Sequence, residues 1–128
     1  MNLLNHELDS LPMITNRSIV NLFPTNNFLQ WLKYIRESEY KISLSELEPI
    51  SFMIEDFDSK EEFIDWLKRN FQILFEIRLN YSCIDNTLWP ENRTFEVFTE
   101  WFEIRFTNLI LDLKNNPLEI ANQNSSNL

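Results

Sequence analysis

The 128-residue chain contains no glycine, one alanine (Ala121), one cysteine (Cys83) and one histidine (His6). The missing glycine excludes the most. A phosphate-cradling P-loop, a dinucleotide-binding fingerprint and a nucleophile elbow each need glycine where backbone turns tightly or touches a ligand. A lone alanine disfavours helical repeats of the tetratricopeptide kind, which use small residues where helices pass closely. A lone cysteine forms no internal disulfide, and no basic segment followed by an apolar run and a cleavage site opens the chain over Met1 to Ile14, so a cytoplasmic location is expected. One histidine, near the N-terminus, leaves neither a Cys-His pair nor a histidine-rich metal site, and no cofactor is expected. Long apolar runs are missing as well. The stretches Phe71 to Leu79 and Ile104 to Leu113 are interrupted by Glu76, Arg78, Arg105 and Asp112 and are too short to span a bilayer, so no membrane association is expected.

Positive charge is the other shortage. Eleven Lys and Arg against twenty Asp and Glu give a formal net charge of −9. The basic residues are scattered, whereas binding a phosphate backbone needs them clustered, so nucleic acid is not an expected partner. The same field speeds encounter with a basic partner protein, although acidity also serves plain solubility.

What the chain has is aromatic bulk: 11 Phe and 4 Trp, with 44% apolar residues overall. A domain of this length buries about two thirds of the surface its unfolded form exposes, and each large buried side chain contributes roughly 1.5–3 kcal/mol. Stability therefore needs neither a disulfide nor a metal. Three segments share one pattern, Phe28-Leu29-Gln30-Trp31-Leu32, Phe63-Ile64-Asp65-Trp66-Leu67 and Phe98-Thr99-Glu100-Trp101-Phe102. Positions i, i+3 and i+4 fall on one helix face, so each segment reads as a helix facing a core or a partner. Outside these five residues the copies scarcely align, which speaks for one domain with three similarly built helices.

The run Ser18 to Phe23, stopped by Pro24, predicts a first strand, and Thr25, Asn26 or Asn27 can cap a helix reaching Ile35. Ser43-Leu44-Ser45-Glu46 has capping-box spacing, but Pro49 follows too soon for more than a turn of helix. Ile50 to Ile54 predicts a second strand. A stronger box, Ser59-Lys60-Glu61-Glu62, opens the longest helix, from Lys60 towards Leu79, and Asn80 to Asn86 reads as a loop. After the third aromatic helix, Ile104 and Phe106 alternate with Glu103, Arg105 and Thr107 as a half-buried strand does. Phe95, Phe98, Phe102, Phe106, Leu109 and Leu113 also fit one continuous helix. The preferred reading ends the helix near Phe102 and follows it with a strand. The result is a single α+β (or small α/β) domain over 16–114 with order β-α-β-α-α-β, about three strands and three main helices packed on the sheet, strand order open. Residues 1–15 read as a loose arm and 115–128 as a polar tail, disordered at its end.

At Arg17-Ser18-Ile19-Val20, Pro24, Phe28 and Trp31-Leu32, and above all at Leu88-Trp89-Pro90, Arg93-Thr94, Phe98, Trp101-Phe102, Phe106 and Asp112-Leu113, the chain resembles a group of small uncharacterised bacterial proteins. The likeness covers roughly residues 17 to 113. It implies a bacterial, cytosolic, self-contained domain and carries no activity to transfer.

Trp89, Pro90 and Arg93 are the best candidates for a recognition surface. An aromatic beside a proline makes a rigid platform, and arginine offers a planar fork for a carboxylate or phosphate. The plainer account has Trp89 filling the core and Arg93 pairing with Glu91 or Glu96. Trp66 and Trp101 join the candidates, and Trp31 shares their ground, because tryptophan is seldom wholly buried and is enriched at interfaces. Glu55, Asp56, Asp58, Glu61 and Glu62 gather where a strand gives way to a helix. They suit a hard divalent cation or, more simply, the positive end of the helix. Cys83 has no basic neighbour in sequence to activate it. The leading expectation is a non-catalytic domain acting through protein contacts, with a basic partner, as small acidic inhibitor or immunity proteins do. The alternative is a ligand binder or enzyme using carboxylates with Arg93 and Trp89, and a third reading is a homodimer with tryptophans at its interface.

Overall fold

Residues 13–14, 16–37, 41–114 and 117–121 are described by a computed structural model. Most of the expected arm and the end of the expected polar tail lie outside the described residues. In chain order the elements are β1 (Met13–Ile14), β2 (Arg17–Pro24), α1 (Asn26–Ile35), β3 (Ile50–Glu55), α2 (Lys60–Ser82), α3 (Phe95–Trp101), β4 (Phe102–Thr107) and β5 (Leu111–Asp112). Single 3-10 turns stand at Leu44–Glu46 and Asn86–Leu88. The architecture is α+β: a three-stranded antiparallel sheet with the helices on one face.

Strand β2 is central, with β3 on one side and β4 on the other. Side chains alternate between faces along a strand, and the register aligns them into apolar rows. Val20 lies between Phe52 and Phe106, and Leu22 between Ile50 and Ile104. Onto these rows α1 presents Phe28, Leu29 and Leu32, α2 presents Phe63, Leu67, Leu74, Phe75 and Leu79, and α3 presents Phe98. The contacts are ring on ring: Phe63 stacks on Phe106 at 4.3 Å between centroids, and Phe102 lies 5.4 Å from Phe28 and 5.7 Å from Phe75. The opposite sheet face carries Ile19, Asn21 and Phe23, with Ser51 and Met53 on one flank and Glu103, Arg105 and Thr107 on the other. Arg105 covers the Phe23 ring there, 4.5 Å from its centroid.

Two boundaries differ from the sequence reading for physical reasons. Pro24 does not stop β2 but is its last residue, opposite Phe102. One step further along the same register, Thr25 N donates to Trp101 O at 2.9 Å. Antiparallel pairs alternate between bonded and non-bonded, so Pro24 and Phe102 form a non-bonded pair and the missing proline N–H costs nothing. Helix α2 runs on to Ser82 because its last turn is held from inside. Arg78 donates through Nη1 to Ser82 Oγ at 2.9 Å, and Arg36 donates through Nη2 to Ser82 O at 3.1 Å.

The division at residue 102 follows the strand reading. Helix α3 ends at Trp101, and Phe102, Ile104 and Phe106 then face the helices at period two. Strand β4 stops at Thr107. Leu111–Asp112 pairs separately with Met13–Ile14, as a small antiparallel ladder.

With no glycine to end α1, Glu37 takes the left-handed conformation, φ 68°, directly after the C-cap Arg36. A side chain there meets the steric penalty that glycine avoids. Glu37→Gly is expected to raise unfolding free energy by about 0.5–1 kcal/mol in urea titration, whereas a neutral or destabilising outcome contradicts the strain.

Candidate functional site

All four tryptophans are half-buried and pack against the core. They fall into two groups. Trp31 on α1 and Trp101 at the end of α3 lie 5.8 Å apart between centroids, and both rings border Phe28, at 5.5 and 6.2 Å. Trp31 Nε1 donates to Leu88 O at 2.9 Å, which joins this pair to the Leu88-Trp89-Pro90 segment. Trp66 is held separately on α2, 6.0 Å from Phe57 and stacked 6.5 Å from Phe63.

Around the first group several side-chain donors are spent on main-chain carbonyls. Trp89 Nε1 donates to Cys83 O at 2.8 Å, so the indole closes the loop that follows α2. Arg93 donates through Nη1 to Pro90 O at 2.7 Å, and its Cζ sits 5.7 Å from the Trp89 ring centroid. Its hydrogen bond is therefore to a carbonyl and not to Glu91 or Glu96. Thr94 caps α3, its Oγ1 accepting from Val97 N at 3.2 Å. The start of α1 is tied to the end of α3 by Thr25 Oγ1, which donates to Glu100 O at 2.6 Å, and by Asn27 Nδ2, which donates to the same oxygen at 3.2 Å. Thr25 thus occupies the N-cap position while spending its hydroxyl across the junction.

This loop is a staple. It welds α1, the end of α2 and the start of α3 without offering convergent donors to a ligand. Three surface depressions are lined respectively by α1 with the Leu44–Glu46 turn, by α2 with α3 and β4, and by the first turns of α2; neither Trp89 nor Arg93 lines any of them.

The charged groups behave in the same local way. Asp85 Oδ1 accepts from Thr87 Oγ1 at 2.6 Å and from Thr87 N at 3.1 Å, and these two bonds hold its carboxyl below the ordinary range. Arg78 is buried, its guanidinium 4.5 Å from the Phe28 centroid, and burial pushes its pKa down to about 10, so it stays charged at neutral pH. Cys83 is half-buried, and its thiol donates to Asp85 O at 3.5 Å.

The carboxylates of the β3–α2 connection are exposed. Ser59 Oγ accepts from Glu62 N at 3.2 Å, the Ser59 half of a capping box, while Glu62 Oε2 accepts at 3.4 Å from the N–H of Asp58, one residue before the N-cap. Among the described residues no group of three His, Cys, Asp or Glu is arranged to hold a metal ion. No described helix is long and apolar enough to cross a membrane.

Between Glu55 and Asp65 stand six acids and one lysine, all exposed, and Trp66 follows directly. Glu62 and Arg69, four before and three after Trp66, share its side of α2. Beside the helix, Phe63, Ile64, Leu67, Phe95, Ile104 and Phe106 line an apolar groove of about 640 Å³ along β4. The sequence reading did not anticipate this groove.

Comparison with family models, with curated proteins and with solved structures gave no match to this chain.

Replacing Trp89 with Phe keeps most of the ring contact but leaves Cys83 O without its donor. Trp89→Phe is expected to cost about 1–3 kcal/mol of unfolding free energy. Chemical denaturation measures it, and a loss below about 0.5 kcal/mol, typical of surface changes, contradicts the stapling role.

Proposed function

We propose that the chain is a non-catalytic domain that works through protein contacts and takes a basic partner, in the manner of small acidic inhibitor or immunity proteins. One observation carries the reading: the half-buried Trp66 follows the stretch Glu55 to Asp65, whose charged side chains are all exposed and supply more than half of the net charge of −9. An indole face attracts Arg or Lys, and a surrounding negative field raises the rate at which a basic surface arrives. Trp89, Pro90, Arg93 and Trp101 serve in this reading as the frame that holds the helices. The resemblance to small bacterial proteins and the single cysteine favour a bacterial cytoplasm for the encounter.

The experiment is affinity capture from native bacterial lysate at low and high salt, with the bound protein identified and its affinity measured. A basic protein held stoichiometrically at about 0.05 M salt is expected to be released by about 0.5 M salt, where exposed charges are screened. The double variant Glu61→Lys, Asp65→Lys avoids the capping residues Ser59 and Glu62 and is expected to lose that partner while staying folded. No stoichiometric basic partner at low salt, or equal retention by the variant, contradicts the proposal.

A further inference from the structure

Strand β4 ends the sheet: β2 pairs with one side, and among the described residues no strand pairs with the other. The bond from Thr25 N to Trp101 O sets which main-chain groups face outwards. Counting from that bonded pair, Phe23 with Glu103, Asn21 with Arg105 and Ile19 with Thr107 are bonded pairs. Ile104 and Phe106 therefore direct their N–H and C=O groups, and Phe102 its C=O, away from β2 along a free edge, while the Phe102 N–H closes the end of α3 on Phe98 O. Exposed edges are normally blunted by proline, a bulge or an inward charge, because they template pairing with another chain. Strand β4, Phe102-Glu103-Ile104-Arg105-Phe106-Thr107, has no proline, and its β2 register is unbroken from Phe102 to Thr107. The apolar groove runs beside this same edge.

We infer that a second copy of this chain pairs antiparallel with β4 about a twofold axis at Ile104, forming one six-stranded sheet across a dimer. The argument is self-complementarity. With Ile104 opposite Ile104 of the partner, the outward N–H and C=O of Ile104 meet their own copies, and each Phe106 N–H meets the Phe102 C=O across the axis. Glu103 then lies opposite Arg105 of the partner, and Arg105 opposite Glu103, in the non-bonded pairs where cross-strand side chains come closest. Within one chain Glu103 and Arg105 already form an exposed ion pair, 2.6 Å from Oε2 to Nη2, so the dimer joins two such pairs into a row of alternating sign. Sliding the copies by two residues one way sets Glu103 against Glu103, and the other way sets Arg105 against Arg105. Charge therefore selects the central register. The other edge of the sheet offers no such match. Bonds from Ser18, Val20 and Leu22 to β3 leave Ser51, Met53 and Glu55 pointing outwards, and self-pairing about Met53 would place Glu55 opposite Ser51. The β4 pairing uses other residues than the Trp66 surface, so the two proposals stand or fall separately.

Sedimentation equilibrium on the full chain tests it. At about 100 µM, where a micromolar complex is formed, the expected mass is twice 15.5 kDa. Arg105→Glu and Glu103→Arg each set like charges opposite one another twice and are expected to weaken the dimer about tenfold or more. Mixed in equal amounts, the two variants regain opposite charges across the axis and are expected to associate with each other. Far-UV circular dichroism checks that both stay folded, as their exposed positions require. A monomeric wild type at that concentration, single variants that dimerise like the wild type, or a mixture that stays monomeric overturns the inference.

Discussion

Strand β2 is the constraint on which the rest depends. Among the described residues it is the only strand of the three-stranded sheet with a neighbour on each side, so the hydrogen bonds of both β3 and β4 end on it. Its inward residues Ser18, Val20 and Leu22 have no exposed surface, and the helices can only settle on the rows that these positions anchor. The junction at its end does a second job. Pro24 and Thr25 turn the chain into α1 while Thr25 binds both Trp101 O and Glu100 O, so one short segment fixes where the first helix starts and where the third gives way to β4.

The aromatic residues follow from that geometry. Without glycine and with one alanine, helices cannot approach closely, and the space between them and the sheet is filled with rings. Phe28, Phe75, Phe98 and Phe102 form one continuous group, and Phe57, Phe63 and Phe106 form another at the start of α2. Tilted and edge-on contacts dominate, as ring quadrupoles favour. A tryptophan indole needs a partner when half-buried, and Trp31 and Trp89 find theirs in the carbonyls of Leu88 and Cys83. In the Leu88 to Thr94 segment these bonds, with that of Arg93 to Pro90 O, close the loop that follows α2.

Much of the fold was legible because local and tertiary signals agree. The Ser59 box, the aromatic helix faces and the alternation of Ile104 and Phe106 each point to the element that forms. Phe95, Phe98, Phe102 and Phe106 fit both a helix and a helix followed by a strand, and periodicity alone does not separate these. The rows through Val20 and Leu22 do, since they call for a strand at Ile104 and Phe106. The end of β2 was less legible. Whether a proline interrupts a strand depends on the bonding parity of its partner, which lies 78 residues away at Phe102. For the site, the acidic run before Trp66 is plain in the sequence. The commitment of Trp89 and Arg93 to main-chain carbonyls is not, because it depends on loop geometry. The free β4 edge is invisible until strand order is known.

Native-state hydrogen exchange on β2 tests the central role of this strand most directly. The amides of Val20 and Leu22, bonded towards β3, and of Asn21 and Phe23, bonded towards β4, are predicted to exchange only through global unfolding, with an opening free energy equal to that from urea titration. Exchange of these amides through a smaller, local opening while the middle of α2 stays protected would contradict it.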